Sequence, residues 1–124
     1  MTSVVDASVV LAWLQDEPGA DEAEPLLMEG IIGAANWSEV LQKSSQHGVD
    51  AEPVARLLAS FGLRVMDVTQ EDAEAAAGFW RAGGGLSLAD RLCLALGQRL
   101  GLSVATTDRR WASGPDRPEV MMIR

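Results

Sequence analysis

The chain has 124 residues, 48% of them apolar and 23% charged, which fits one domain with a buried core and excludes intrinsic disorder. A net charge of −8 excludes a broad basic surface for nucleic acid, and the lone Cys93 excludes an internal disulfide or a thiolate cluster for zinc. The nearly apolar stretch Ala7 to Leu14 is far short of the ~20 residues of a membrane span and follows no basic segment, so no membrane contact, no signal peptide and a cytoplasmic location are expected.

The β-branched run from Thr2 to Asp6 predicts a first strand, and Ser8 or Asp6 can cap a helix over Val9 to Gln15. A second helix is expected around Ala23 to Glu29, closed by Gly30, with Pro25 near its start. Ile31 to Ala35 reads as the second strand, and Asn36 opens a helix through Gln46. A further helix begins at Asp50 or Ala51, with Val54, Leu57, Leu58 and Phe61 at helical spacing. Leu63 to Val68 is the third strand. Thr69 caps a helix whose predicted buried face is Ala73, Ala76, Ala77 and Trp80. After Gly83-Gly84-Gly85, Ser87 caps a long helix to Leu100, with Leu88, Leu92, Leu96 and Leu100 in one row. Ser103 to Thr107 is the fourth strand, Arg109 to Ala112 a helical turn, and Val120 to Ile123 the fifth strand. Strands alternating with helices predict a single domain over residues 1–124. Its architecture is a three-layer α/β/α sandwich on a mostly parallel sheet.

In such sheets the working edge lies at the carboxyl ends of the strands. Asp6 ends the first strand and Asp108 comes directly after the fourth. Glu39 is expected in the first turn of the helix after the second strand, and Asp90 in the first turn of the helix entering the fourth. Each also fits a capping role: Asn36-Trp37-Ser38-Glu39 and Ser87-Leu88-Ala89-Asp90 match the capping-box pattern, Asp6 can cap the first helix, and Asp108 can cap the turn at Arg109. Capping does not account for four acids at one edge. Ionised carboxylates ~5 Å apart repel by about 3 kcal/mol per pair at an effective dielectric of ~20, unless a cation bridges them or some stay protonated. Oxygen donors without histidine or cysteine suit Mg²⁺ or Mn²⁺. A water deprotonated with help from a neighbouring carboxylate then suffices to attack a phosphodiester. His47, beside Gly48 at a helix end, is expected to satisfy carbonyls, whereas Ser8 and Thr106 sit beside the proposed ligands.

These residues carry a resemblance. Val4-Val5-Asp6-Ala7-Ser8, Trp37-Ser38-Glu39-Val40, Leu86-Ser87-Leu88-Ala89-Asp90-Arg91 and Ala105-Thr106-Thr107-Asp108-Arg109-Arg110-Trp111 resemble the four acidic signatures of PIN-domain ribonucleases. The nearest subgroup is the VapC toxins of bacterial toxin–antitoxin pairs. The resemblance implies a five-stranded sheet of order 3-2-1-4-5 and Mg²⁺- or Mn²⁺-dependent endonucleolytic cleavage of RNA. It also implies a homodimer and inhibition by a small VapB antitoxin. By position it makes Asp6 and Asp90 the direct metal ligands, Glu39 and Asp108 the remaining acids, and Thr106 the small hydroxyl residue near the site.

Ten acids and one lysine lie between Met1 and Glu52, against eight acids and nine arginines from Pro53 onward. Any RNA must therefore be gripped locally, with Arg81, Arg91, Arg109 and Arg110 as the expected contacts, or else a cation must first neutralise the acidic centre. Val9, Val10, Leu11, Trp13 and Leu14 make the first helix apolar almost all round, as burial on two sides or a groove for an antitoxin segment or a second copy would require. The four tryptophans are expected mostly in the core. The alternatives are a non-catalytic binding module and a receiver-like signalling module. A phosphoacceptor receiver calls for an acidic pair before the first helix and a lysine after the fifth strand. Here Asp6 stands alone and Lys43 is the only lysine.

Overall fold

A computed structural model describes residues 2–111 and 117–124. The elements in chain order are β1 (Val4–Val5), α1 (Ala7–Leu14), α2 (Ala20–Leu27), β2 (Ile31–Gly33), α3 (Ala34–Gln46), α4 (Ala51–Ser60), β3 (Arg64–Met66), α5 (Gln70–Gly78), α6 (Leu88–Leu100), β4 (Val104–Thr106) and β5 (Val120–Met122). The strands form one sheet of order β3-β2-β1-β4-β5, and every pairing is parallel. No described helix is long and apolar enough to cross a membrane.

Register explains how such short strands hold three layers together. Val4, Ile31 and Val104 are neighbours across the sheet, as are Val5, Ile32 and Ala105. Successive side chains point to opposite faces. The first set joins a core with Ala76 and Phe79 of α5 and its flank and Leu94 and Leu96 of α6. The second joins Val9 and Val10 of α1, Leu27 of α2, Val40 of α3 and Leu58 of α4. Both faces are thus covered, which is why the central strands carry no polar alternation.

Several expectations are corrected. The strands are shorter than their apolar runs, at two or three residues each. α1 starts at Ala7 with Asp6, not Ser8, as its cap, because the Asp6 carboxylate reaches the Val9 amide. α2 runs earlier than expected, with Pro25 inside it. α3 starts at Ala34, so Asn36 is an interior helical residue and not a cap, and Glu39 falls in the second turn and not the first. The inward residues of α5 are Asp72 and Ala76, with Phe79 just past its end, whereas Ala73 and Ala77 face out and Trp80 is 59% exposed. Asp72 takes the inward place because Arg99 of α6 meets it there at 2.8 and 3.1 Å. Of the leucine row in α6, Leu96 is buried but Leu88 is exposed. Arg109 and Arg110 form a plain turn, and Ala112 lies outside the described residues.

The caps at Thr69 and Ser87 form as predicted, each a reciprocal capping box, with Asp72 and Asp90. Much of the apolar surface of α1 packs within the chain: Val9, Val10 and Leu11 are buried, and half-buried Trp13 meets Phe61 edge-on with ring centroids 5.1 Å apart, while Leu14 is also half-buried. α6 lies very close to the sheet. A β-carbon on Gly97 would come within 2.4 Å of Val104 Cγ2 and 3.1 Å of the Leu102 carbonyl oxygen.

Candidate metal and active site

The parallel sheet puts the end of β1, the end of β4, and the amino-terminal ends of α3 and α6 at one edge. Asp6 stands at its centre, 4% exposed. Its Oδ1 accepts from Ser8 Oγ and from the Val9 amide at 3.1 Å, and its Oδ2 accepts from Thr106 Oγ1 at 2.6 Å. The two hydroxyls are themselves fixed. Ser8 Oγ accepts from the Thr107 amide and Thr106 Oγ1 from the Asp108 amide, each at 3.0 Å. Ser8 and Thr106 therefore tie the Asp6 carboxylate to the backbone that carries Asp108. Burial raises the Asp6 pKa from 3.8 to about 6 despite these hydrogen bonds, and the charge of Asp90 adds to the rise.

Asp90 accepts from the Ser87 amide at 3.0 Å, which holds its carboxylate over the start of α6. Burial raises its pKa against the Ser87 bonds, and the charges of Asp108 and Glu39 raise it further. All four acids thus bear on one another through Asp90. They do not form a ready-made ligand cluster: among the described residues, no three His, Cys, Asp or Glu side chains stand close enough to hold a metal. Two of the four are instead held in ion pairs. Arg110 clasps Asp108 at 2.6 Å through Nη2, donating to both carboxylate oxygens, and this clasp holds the Asp108 pKa below the usual carboxylate range. Lys43 pairs with Glu39 one turn along α3, at 3.2 Å. Two of the four charges are answered by cations, so the full repulsion expected from the sequence does not arise.

Two residues missed in the sequence belong to this edge. Asn36 is 2% exposed; its Oδ1 accepts from the Ala7 amide and its Nδ2 donates to the Ala89 carbonyl, both at 3.2 Å. One side chain thereby joins the residue after Asp6 to the residue before Asp90. Its burial inside a helix is a tertiary fact, and the capping-box pattern around it concealed this role. Cys93 lies one turn beyond Asp90 and is buried; burial pushes its thiol up, and the charges of Asp6 and Asp90 add to that. It is a neutral neighbour and not a ligand. His47 lies at the end of α3 with Nδ1 2.8 Å from the Lys43 carbonyl, in the carbonyl-satisfying place expected of it.

Of the four arginines singled out, Arg81, Arg91 and Arg110 line one cavity, whereas Arg109 is exposed and outside that lining.

A hard divalent cation suits this donor set. The available groups are oxygens, the neighbouring thiol is protonated, and Asp6 and Asp90 carry no cationic partner among the described ion pairs. Two carboxylates, with waters and substrate oxygens completing the shell, is the arrangement Mg²⁺ takes.

A family model described as PIN domain matches residues 3–115. No curated protein matches the sequence. The fold is shared with several solved structures. A toxin–antitoxin complex from Klebsiella pneumoniae is 21% identical, with 98% of each chain covered and a TM-score of 0.77. A sarcin–ricin-loop-cleaving VapC toxin of Mycobacterium tuberculosis is 17% identical, with 88% of this chain and 91% of that one covered and a TM-score of 0.71. A DNA-bound VapBC from Salmonella typhimurium is 16% identical, with full coverage of both chains and a TM-score of 0.71.

Proposed function

The chain belongs to the PIN-domain family, and from that premise we propose that it is a Mg²⁺- or Mn²⁺-dependent endoribonuclease, the toxin of a type II toxin–antitoxin pair. The observation that carries the reading is electrostatic: at the carboxyl edge of the sheet burial makes both Asp6 and first-turn Asp90 costly to ionise, the charge of Asp90 adds to the cost at Asp6, and the charges of Asp108 and Glu39 add to it at Asp90. Such a pair is costly for a merely structural site and useful for one that takes a dication.

In this reading Asp6 and Asp90 hold the cation. Bound there, it supplies charge neutralisation and Lewis acidity toward a phosphodiester and a water. Ser8 and Thr106 fix the Asp6 oxygens through their hydroxyl hydrogen bonds, so that the carboxylate keeps one orientation. Glu39 and Asp108 stand ready to orient the attacking water and receive its proton. Asp108 serves in this way once Arg110 releases it, because the paired carboxylate is a weak base. The partners of the structurally similar toxins extend the proposal to a small VapB-like antitoxin, and the family resemblance extends it to a homodimer acting on cytoplasmic RNA.

The test is Asp6→Asn. The parent protein, titrated with Mn²⁺, is expected to gain thermal stability and to cleave RNA. The variant is expected to lose the Mn²⁺-induced gain and at least about a hundredfold of the cleavage rate. Cleavage by Asp6→Asn at the parent rate, with metal present, would falsify the mechanism.

A further inference from the structure

Beside the acidic edge lies a cavity of about 200 Å³ whose charge is opposite to that of the whole chain. Arg81, Arg91, Arg110 and Arg117 line it, together with Phe79 and Gly84. These arginines come from the segment after α5, the start of α6, the turn after β4 and the segment before β5, so the fold and not the sequence order assembles them.

The groups are built in. Arg81 Nη1 donates to the Gly78 and Trp80 carbonyls, both at 2.8 Å, which satisfies the carboxyl end of α5. Arg91 Nη1 donates to the Ala76 carbonyl at 3.0 Å. Arg117 lies over the Phe79 ring, 5.9 Å from its centroid. Gly85, at φ 76°, turns the loop so that its open side faces Arg110. Backbone carbonyls orient Arg81 and Arg91 without neutralising them. Among the described residues neither of these two makes an ion pair, and Arg110 shares its charge with the Asp108 carboxylate.

A second observation points to a ligand. Arg91 Nε is buried and meets no acceptor among the described residues. A buried donor normally finds a partner, and a planar guanidinium with a free edge is matched by a phosphate oxygen. We propose that this arginine cavity is a phosphate subsite that grips the RNA backbone next to the scissile phosphate. The proposal rests on the endoribonuclease reading and deepens it. It names where an acidic protein finds the local positive charge to hold a polyanion. Arg110 joins the two places, since it lines the cavity and also clasps Asp108.

The experiment uses the full chain carrying Asp6→Asn, in EDTA, so that binding is read without cleavage. A labelled single-stranded oligoribonucleotide is titrated at several salt concentrations and followed by anisotropy. Arg81→Gln with Arg117→Gln is expected to weaken binding about tenfold and to lower the salt slope by about 1. The corresponding lysine pair keeps most of the slope, because the charges remain. Inorganic phosphate is the second probe and is expected to compete with the oligoribonucleotide on the parent background but not on the glutamine background. Arg117→Gln alone carries the reading if loss of Arg81 loosens α5, which thermal unfolding reports. An unchanged dissociation constant and salt slope in the glutamine variants overturn the proposal. So does phosphate binding without any oligoribonucleotide binding, which would assign the cavity to a free anion. Cleavage with Mn²⁺ by protein with Asp6 intact is scored separately. Binding through the arginines without cleavage defeats the nuclease reading alone, and cleavage with arginine-independent binding defeats the subsite alone.

Discussion

Asn36 shows how much of the acidic edge depends on one neutral side chain. It satisfies the first amide of α1 and a carbonyl in the first turn of α6, so the separation between Asp6 and Asp90 is set through its amide group. Asn36→Ala leaves a buried amide and carbonyl without those partners and is expected to cost about 1–3 kcal/mol, measured by urea unfolding. Its effect on Mn²⁺ affinity should exceed that of an equally destabilising core substitution, since the latter leaves the carboxylates where they are. Cys93 gives a simpler expectation. A buried thiol pushed up by its surroundings is seldom a thiolate, so iodoacetamide should label it only after denaturant unfolds the chain. Rapid labelling of native protein would contradict its placement beneath the acids.

The elements show which parts of the structure were legible in the sequence. Thr69 and Ser87 were readable because a capping box is closed within four residues and depends on nothing distant. The same pattern at Asn36 misled, because Gly33 starts α3 three residues earlier and Asn36 is claimed by α1 and α6. The buried face of α5 was missed for a related reason: an inward aspartate is legible only to someone who knows that Arg99 waits for it. Of the candidate site, the four acids were visible as types at strand and helix ends. The cations that answer two of them, Arg110 and Lys43, were not assigned that part. The Asp72–Arg99 bond also sets a pH dependence. Burial alone would raise the Asp72 pKa, but its bonds to Arg99 and to the Thr69 amide, with the Arg99 charge, outweigh burial and lower it. A lowered folded pKa means that the unfolded chain binds the proton first. The pair's contribution is therefore complete above the ordinary aspartate range near 3.8 and fades as pH falls through the folded value. Asp72→Asn should lower stability at neutral pH and flatten the acid limb of a urea-midpoint profile.

At the scale of the molecule, alternate residues of three short strands serve two cores, and this doubly covered sheet was legible from its apolar runs. The acid-rich first half and arginine-rich second half meet at the carboxyl edge, where β1 and β4 lie side by side. That adjacency comes from strand order and could not be read from composition. The close seat of α6 on β4 has a mechanical consequence. Asp90 and Gly97 are seven residues apart on one helix, a rise of about 10 Å, and helices are stiff over such a span. Gly97→Ala is expected to cost about 1–3 kcal/mol in overpacking and, although it touches no acid, to weaken Mn²⁺ binding measured by calorimetry. The added methyl works as a wedge under one end of a beam whose other end carries a carboxylate, so the gap between the two acids is governed from the floor on which the helix rests.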